Sequence, residues 1–326
     1  MTPREKFIKC LKREPITGHV PHFELVFFLT MEAIGKVHPQ HRSFDQWDQM
    51  SRREQDLHIK DIAQTYIATA EKYDHSAIFV QMDTSDMRNF DKTKRILEEI
   101  RNQSGDKYYT MVHGDPTFAI PTGDDMMEFS ARLYEEEDEM KALAQKRVDH
   151  FKTFAEKMAQ HEGLLDGFTL CSDYCFNINP FFSPDLFAEY ISPYLKDILD
   201  TYRSMGFYTI KHTDGNIMPI LDQMVECGPD ALHSIDPQGG VSLKKVKELV
   251  GDKVALCGNV NCGLLQTGTQ EECEADIRRA LREGMPGYGY IFCTSNCAYT
   301  GLSLERYELM HRIWREEGIY PETTEM

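Results

Sequence analysis

The chain has 326 residues, 41% hydrophobic and 27% charged, with a formal net charge of −17. That length suits one large α/β domain, and the acidic balance argues against a nucleic-acid partner, which needs a basic face to displace counterions. No apolar run reaches the roughly 18–20 residues of a membrane span, and the charged start MTPREKFIKCLKRE lacks the apolar core of a signal peptide, so a cytoplasmic protein is expected.

Residues 3–14 read as an opening helix with Pro3 in its first turn and Phe7, Ile8 and Leu11 on one face. HVPHFELVF, 19–27, is the first predicted strand and bears His22 and Glu24; a helical, irregular insertion containing HPQHRSFDQWD follows over 28–72. HSAIFVQMD, 75–83, ends in Asp83, and YYTMVHGDP, 108–116, ends in His113 and Asp115. The stretch 124–163 is charged and helical. DGFTLCSDYC, 166–175, is a strand carrying Asp173, and Ser183-Pro184-Asp185 opens a helix over 184–204.

FYTIKHTDGN, 207–216, delivers His212 and Asp214 from an apolar run onto a Gly215-Asn216 turn, and an amphipathic segment begins at once. Two residues apart on an extended chain, His212 and Asp214 point to the same side. Such a pair can bind a metal or move a proton; an Asp capping the next helix, bonded by the His, is the plainer alternative. ALHSIDP, 231–237, ends in Asp236. VALCGNVN, 254–261, holds Cys257 and Asn259, and YGYIFCTSNC, 288–297, holds Cys293, Asn296 and Cys297 before a closing helix.

Eight short strands, seven followed by helical segments, predict a parallel sheet. Eight units over roughly 300 residues is the count of a (β/α)8 TIM barrel, here a single domain with an N-terminal helix and a helical insertion after the first strand. A doubly wound open sheet would want a glycine-rich phosphate loop after the first strand, whereas residues 24–36 contain only Gly35.

In such a barrel the strand C-terminal ends share one mouth. They would gather His22, Glu24, Asp83, His113, Asp115, Asp173, His212, Asp214, Asp236, Asn259, Cys293, Asn296 and Cys297 there, an acidic and imidazole-rich set. Arginine is absent from it, the nearest candidates being Arg52 and Arg53 on the insertion, so bidentate recognition of a polyanion is not expected. Zinc suits mixed imidazole, thiolate and carboxylate ligands. A site from His212, Asp214, Asp236 and Cys297 is expected, with Cys257 able to replace one of them. Alternatively Cys257 and Cys293 simply fill the interior. A cysteine nucleophile would need a neighbouring cation, and the surrounding carboxylates would raise the Cys297 pKa. The nine cysteines, an odd count without a leader, do not suggest disulfides.

REKFIKCLKREP, DGFTLCSDYCFNINPFFSPDLFAEYISPYL, HTDGNIMPILDQMVECGPDALHSID, VKELVGDKVALCGNV and GYGYIFCTSNCAYTGLSLERYELM together resemble the uroporphyrinogen decarboxylase superfamily, over most of the length and least over 28–72. The resemblance implies a (β/α)8 barrel and one of two activities. Uroporphyrinogen decarboxylases work without a cofactor and hold substrate carboxylates with an arginine-rich segment after the first strand; here that position reads FELVFFLTMEAIG, with no arginine. The cobalamin-dependent methyltransferases of the superfamily often use zinc, bound in one group by His-x-Cys on the fifth strand and a Cys near the last. This chain has His212-Thr213-Asp214 and Cys297 at the matching positions, with a carboxylate in place of one thiolate.

That substitution is similar to the O-demethylase branch. It implies transfer of a methyl group from a small methoxylated donor to a corrinoid-binding partner protein, assisted by zinc on His212, Asp214, Cys257 and Cys297. His113, Asp236 and Asp83 would then be catalytic, and His22, Glu24, Asp173, Asn259 and Asn296 would contact substrate. A second copy of the chain is a further candidate partner.

Overall fold

The structure, a computed structural model, describes residues 1–42 and 46–321; residues 43–45 of the predicted insertion lie outside it. Seven parallel strands form one sheet in sequential order: β2 (Ala77–Val80), β3 (Tyr109–His113), β4 (Gly167–Leu170), β5 (Tyr208–His212), β6 (Ala231–His233), β7 (Ala255–Cys257) and β8 (Tyr290–Ile291). Sequential parallel order requires a crossover after every strand. Helices such as Phe90–Ser104, Glu137–Ala159 and Gln270–Gly284 supply them. The strands are buried on both faces, which is why they read as short continuous apolar runs.

The first expected strand takes a different form. Residues 19–27 make no continuous ladder; His22 forms single parallel bridges to His75, beside β2, and to Phe292, beside β8. The Phe292 N–H donates to Pro21 O at 2.8 Å and the Ser76 N–H to His22 O at 2.7 Å. Pro21 has no N–H to give, and a bend at Leu25 interrupts the extended run. The segment still joins the two edges of the sheet. Upstream, β1 (Gly18–His19) pairs antiparallel with β9 (Ile319–Tyr320), a two-stranded sheet with no counterpart in the sequence reading.

The predicted helix over 184–204 is two helices, Pro184–Tyr190 and Ser192–Ser204, because Pro193 opens a new first turn. The charged stretch 124–163 divides likewise at Glu136 into Met126–Glu135 and Glu137–Ala159.

The N-terminal helix Pro3–Leu11 is capped by a reciprocal Thr2–Glu5 box and buries Phe7, Cys10 and Leu11. The Phe7 ring lies 4.6 Å from that of Tyr109 on β3 and 5.5 Å from that of Phe23. Arg4 and Arg101 both donate to the buried carboxylate of Asp166, at 2.6 and 2.8 Å, and the Thr110 N–H joins them at 2.9 Å. This network ties the helix to the start of β4, the end opposite the candidate site. Among the described residues, no helix is long and apolar enough to cross a membrane.

Candidate functional site

β5 ends in His212, and the chain turns at Gly215 with φ +80°. A Cβ at Gly215 would lie 2.4 Å from Phe176 O and 2.7 Å from Cys175 O, so the turn is pressed against the loop after β4. Only glycine fits both the backbone conformation and the space. Gly215→Ala should therefore cost at least ~1–2 kcal/mol from the left-handed backbone alone, with the clash added. The midpoint of chemical denaturation measures it; an unshifted midpoint would contradict this packing.

That contact places three ligand-type side chains together. One ligand atom from each of Asp173, His212 and Asp214 lies within 4.8 Å of the others. His212 Nε2 is 3.8 Å from an oxygen of each carboxylate. The Asp214 N–H donates to Asp173 Oδ1 at 3.0 Å, and the Asn296 amide donates to Asp214 Oδ2. Asp214 Oδ1 is buried, with the Ser234 hydroxyl beside it but outside full hydrogen-bond geometry. Asp236 accepts from the N–H groups of Gly215, at 3.0 Å, and Gln238, at 2.8 Å, and so fixes the turn.

Burial lowers the His212 pKa to about 4, against the pull of Asp173. The imidazole is neutral and offers a lone pair. Burial, with Asp173 and Asp236 nearby, pushes the Asp214 carboxyl up to about 7. Crowded acids beside a neutral imidazole make a field that a divalent cation would relieve. The other ring nitrogen, Nδ1 of His212, is 2.7 Å from Nδ1 of His233 on β6, in register with it. One of the two must carry the proton. If His212 does, its Nε2 lone pair faces the carboxylates, the tautomer a metal ligand requires.

Of the other sequence-predicted residues, Asp173, Asn296 and Asp236 adjoin His212 and Asp214, and the rest have other surroundings. Asp173, expected to contact substrate, joins His212 and Asp214 in the three-donor group, while Cys257 and Cys297 are not in it. Cys257 is fully buried, and burial raises its thiol pKa in the field of Cys10, a residue of the N-terminal helix. The Cys297 thiol is pushed up to about 12 by burial, with the Asp214 charge among the causes, so it is a neutral thiol close to the three-donor group in the absence of a metal. Asn259 is fully buried, its amide committed to Ile235 O at 2.7 Å and to Arg279 at 3.1 Å, so it braces the loop rather than meeting a ligand. His22 is fully buried, bonded to Phe292 O at 3.0 Å and to the Tyr307 hydroxyl at 3.3 Å. Glu24 is closed off by Thr294, at 2.5 Å from its hydroxyl, and burial pushes its carboxyl up to about 8.

Asp83, His113 and Asp115 line a cavity of about 500 Å³, shared with helix Glu137–Ala159. Asp115 nevertheless acts on His212 through its charge, so the cavity and the three-donor group adjoin. Arginine is not absent: that helix brings Arg147 to the cavity wall. Asp115 is fully paired, accepting from Lys211 Nζ at 2.7 Å, the Thr117 hydroxyl at 2.5 Å and the Ser172 N–H at 2.8 Å. Lys211 is as buried as its partner, its Nζ 4.1 Å from the centre of the Tyr174 ring.

A parallel strand–helix array with a three-donor group at its strand ends defines an α/β protein built around a candidate cation site. The chain belongs to the uroporphyrinogen decarboxylase (URO-D) family, whose model matches residues 117–316. Its fold is similar to that of a methyltransferase from Methanosarcina mazei, at 18% identity and TM-score 0.74, covering 97% of this chain and 99% of that one. A 3-keto-D-glucoside 4-epimerase from E. coli aligns at 12% identity and TM-score 0.45, over 79% of this chain and 94% of that one. No curated protein sequence matches.

Proposed function

We propose that this protein is a methyltransferase that moves a methyl group from a small methoxylated compound to a corrinoid carried by a separate protein. In this reading the seven-stranded sheet and the segment over 19–27 together make a (β/α)8 barrel whose mouth receives both substrates. The observation that carries it is the Asp173–His212–Asp214 group, with one buried carboxylate oxygen lacking a full hydrogen bond. Imidazole and carboxylate donors suit zinc, and Asp173, His212 and Asp214 would hold it, leaving a position open for substrate. Zinc bound there would supply Lewis-acid polarisation of the ether oxygen that leaves when the methyl departs.

The chain's own residues do the positioning. Asp173 fixes the Asp214 backbone, Asn296 orients the Asp214 carboxylate, and Asp236 locks the Gly215 turn. Membership of the family is compatible with either activity. The arginine-free segment FELVFFLTMEAIG favours methyl transfer over decarboxylation of a polyanionic tetrapyrrole, and so does the fold shared with a methyltransferase.

The test uses zinc-loaded protein, free cob(I)alamin as acceptor and a panel of methoxylated aromatic and aliphatic compounds. Cobalt methylation, followed by its visible absorption, is expected with at least one donor and only with metal present. No transfer across the panel, together with carbon dioxide release from uroporphyrinogen by metal-free protein, would reverse the reading in favour of a decarboxylase.

A further inference from the structure

The cavity of about 500 Å³ beside the sheet shares no lining residue with the Asp173–His212–Asp214 group. Its wall on helix Glu137–Ala159 is built from Leu143, Lys146, Arg147, His150 and Phe151. These recur at three- and four-residue spacing and so share one helix face. The opposite wall holds His113, Asp83 and Asp115.

Of the two acids, Asp115 is charge-compensated, whereas Asp83 is exposed to solvent and uses only its Oδ1. Asp115 is neutralised by Lys211 at 2.7 Å and accepts from Thr117 and Ser172. Asp83 accepts from the N–H and hydroxyl of Ser85, at 3.0 and 2.5 Å. The donors are not committed to the same degree. Arg147 gives one N–H to Thr117 O, at 3.0 Å, and keeps the rest of its fork. His150 Nε2 is buried without a hydrogen-bond partner. Lys146 makes none of the ion pairs found among the described residues, although its helix pairs Lys141 with Glu137 and Lys152 with Asp197. Lys146 and Arg147 are exposed and solvated, so His150 Nε2, buried without a partner, is the donor that folding leaves unexplained. Phe151 and Leu143 add an apolar floor, and His113 stands edge-on to Phe151 at 6.1 Å.

The geometry points to a binding site for a small organic acid, its oxyanion held by Arg147, Lys146 and His150 and its apolar body laid against Phe151 and Leu143. A planar guanidinium matches a carboxylate in two-pronged fashion, and a lysine beside it adds charge without fixed geometry. A cavity of this size, part apolar and with a few convergent polar groups, is the form small-molecule sites take. This inference does not depend on the methyl-transfer reading, because the two sites use different residues.

Calorimetric titration of the full chain tests it, with benzoate, benzamide and inorganic phosphate as probes. The protein carries His212→Ala, so that coordination of benzoate by metal cannot contribute. Benzoate should bind saturably with a Kd of order 1 mM or below, and neutral benzamide should not bind. Arg147→Gln and Lys146→Glu should each weaken benzoate at least ~10-fold. Lys146→Glu changes an exposed residue and keeps the test valid if loss of the Arg147–Thr117 bond perturbs folding. Absence of saturable benzoate binding, or unchanged affinity in both folded variants, would overturn the site. Phosphate bound more tightly than benzoate would overturn the organic-acid assignment.

Discussion

Replacing His212 by Ala should remove stoichiometric zinc, from about one ion per chain to none, measured by elemental analysis after dialysis against buffered metal. Asp173 and Asp214 alone leave two carboxylates, which hold zinc poorly without a nitrogen or sulfur donor. Methyl transfer should be lost with the metal. The more discriminating variant is His233→Leu, which leaves all three candidate ligands in place. It removes only the partner 2.7 Å from His212 Nδ1. Loss of that partner frees the imidazole to rotate and to take the wrong tautomer, an effect typically worth 10–100-fold in metal affinity. Competition with a chelator of known affinity measures it. Unchanged affinity in His233→Leu would mean that the ring is held by packing alone. One zinc per chain in His212→Ala would remove the centre from this site altogether.

The second large effect is expected at Lys211. Both members of the Lys211–Asp115 pair are fully buried. Lys211→Met leaves the carboxylate with its Thr117 and Ser172 donors and no counter-charge, and breaking one side of such a pair typically costs ~3–5 kcal/mol. At ~2 °C per kcal/mol for a chain of this size, the melting temperature should fall by roughly 6–10 °C. The double variant Lys211→Met/Asp115→Leu should recover much of the loss, since no uncompensated charge remains. A fall below ~1 kcal/mol in Lys211→Met would show that the hydrogen bonds alone carry Asp115.

The same pair sets the acid limb of stability. Lys211 and the surrounding donors hold the Asp115 carboxyl well below the usual carboxylate range. Its contribution is complete above the unfolded value of about 3.9 and is lost as pH falls toward the depressed folded value. Asp115→Asn should flatten that limb. Glu24 acts in the opposite sense. With its carboxyl pushed up to about 8, its contribution is present below the unfolded value of about 4.3 and is lost as pH rises through 8. Glu24→Gln should remove that loss, which accrues between about pH 4.3 and 8.

What could be read from the chain depended on whether a residue's role was local. FYTIKHTDGN shows its strand, its polar tip and its turn within ten residues, and the structure builds each of them. The seven parallel strands were legible for the same reason: six are short apolar runs closed by Asp, His, Gly or Pro, and β8 is closed by Thr294-Ser295-Asn296. HVPHFELVF has the same look, yet Pro21 and the bend at Leu25 leave it with bridges in place of a ladder. That outcome depends on partners at 75 and 292, far away in sequence. Grouping failed where it depended on the third dimension. Asp173 reaches His212 only because the Gly215 turn is pressed on the loop after β4. Lys211 is a charged residue that the fold buries completely. The one signal was a lysine inside the apolar strand FYTIKH, where a buried cation needs a buried acid.

The double bridge of His22 has a consequence for biosynthesis. Its partner Phe292 lies 270 residues downstream, so the β2 edge of the sheet cannot be joined to β8 until residue 292 has left the ribosome. At about 5–20 residues per second that interval is tens of seconds. Throughout it the nascent sheet carries raw edges that could pair with another growing chain, a hazard of parallel topologies. Yield during rapid overexpression should therefore depend on holding chaperones, and slower translation at low temperature should favour the soluble product.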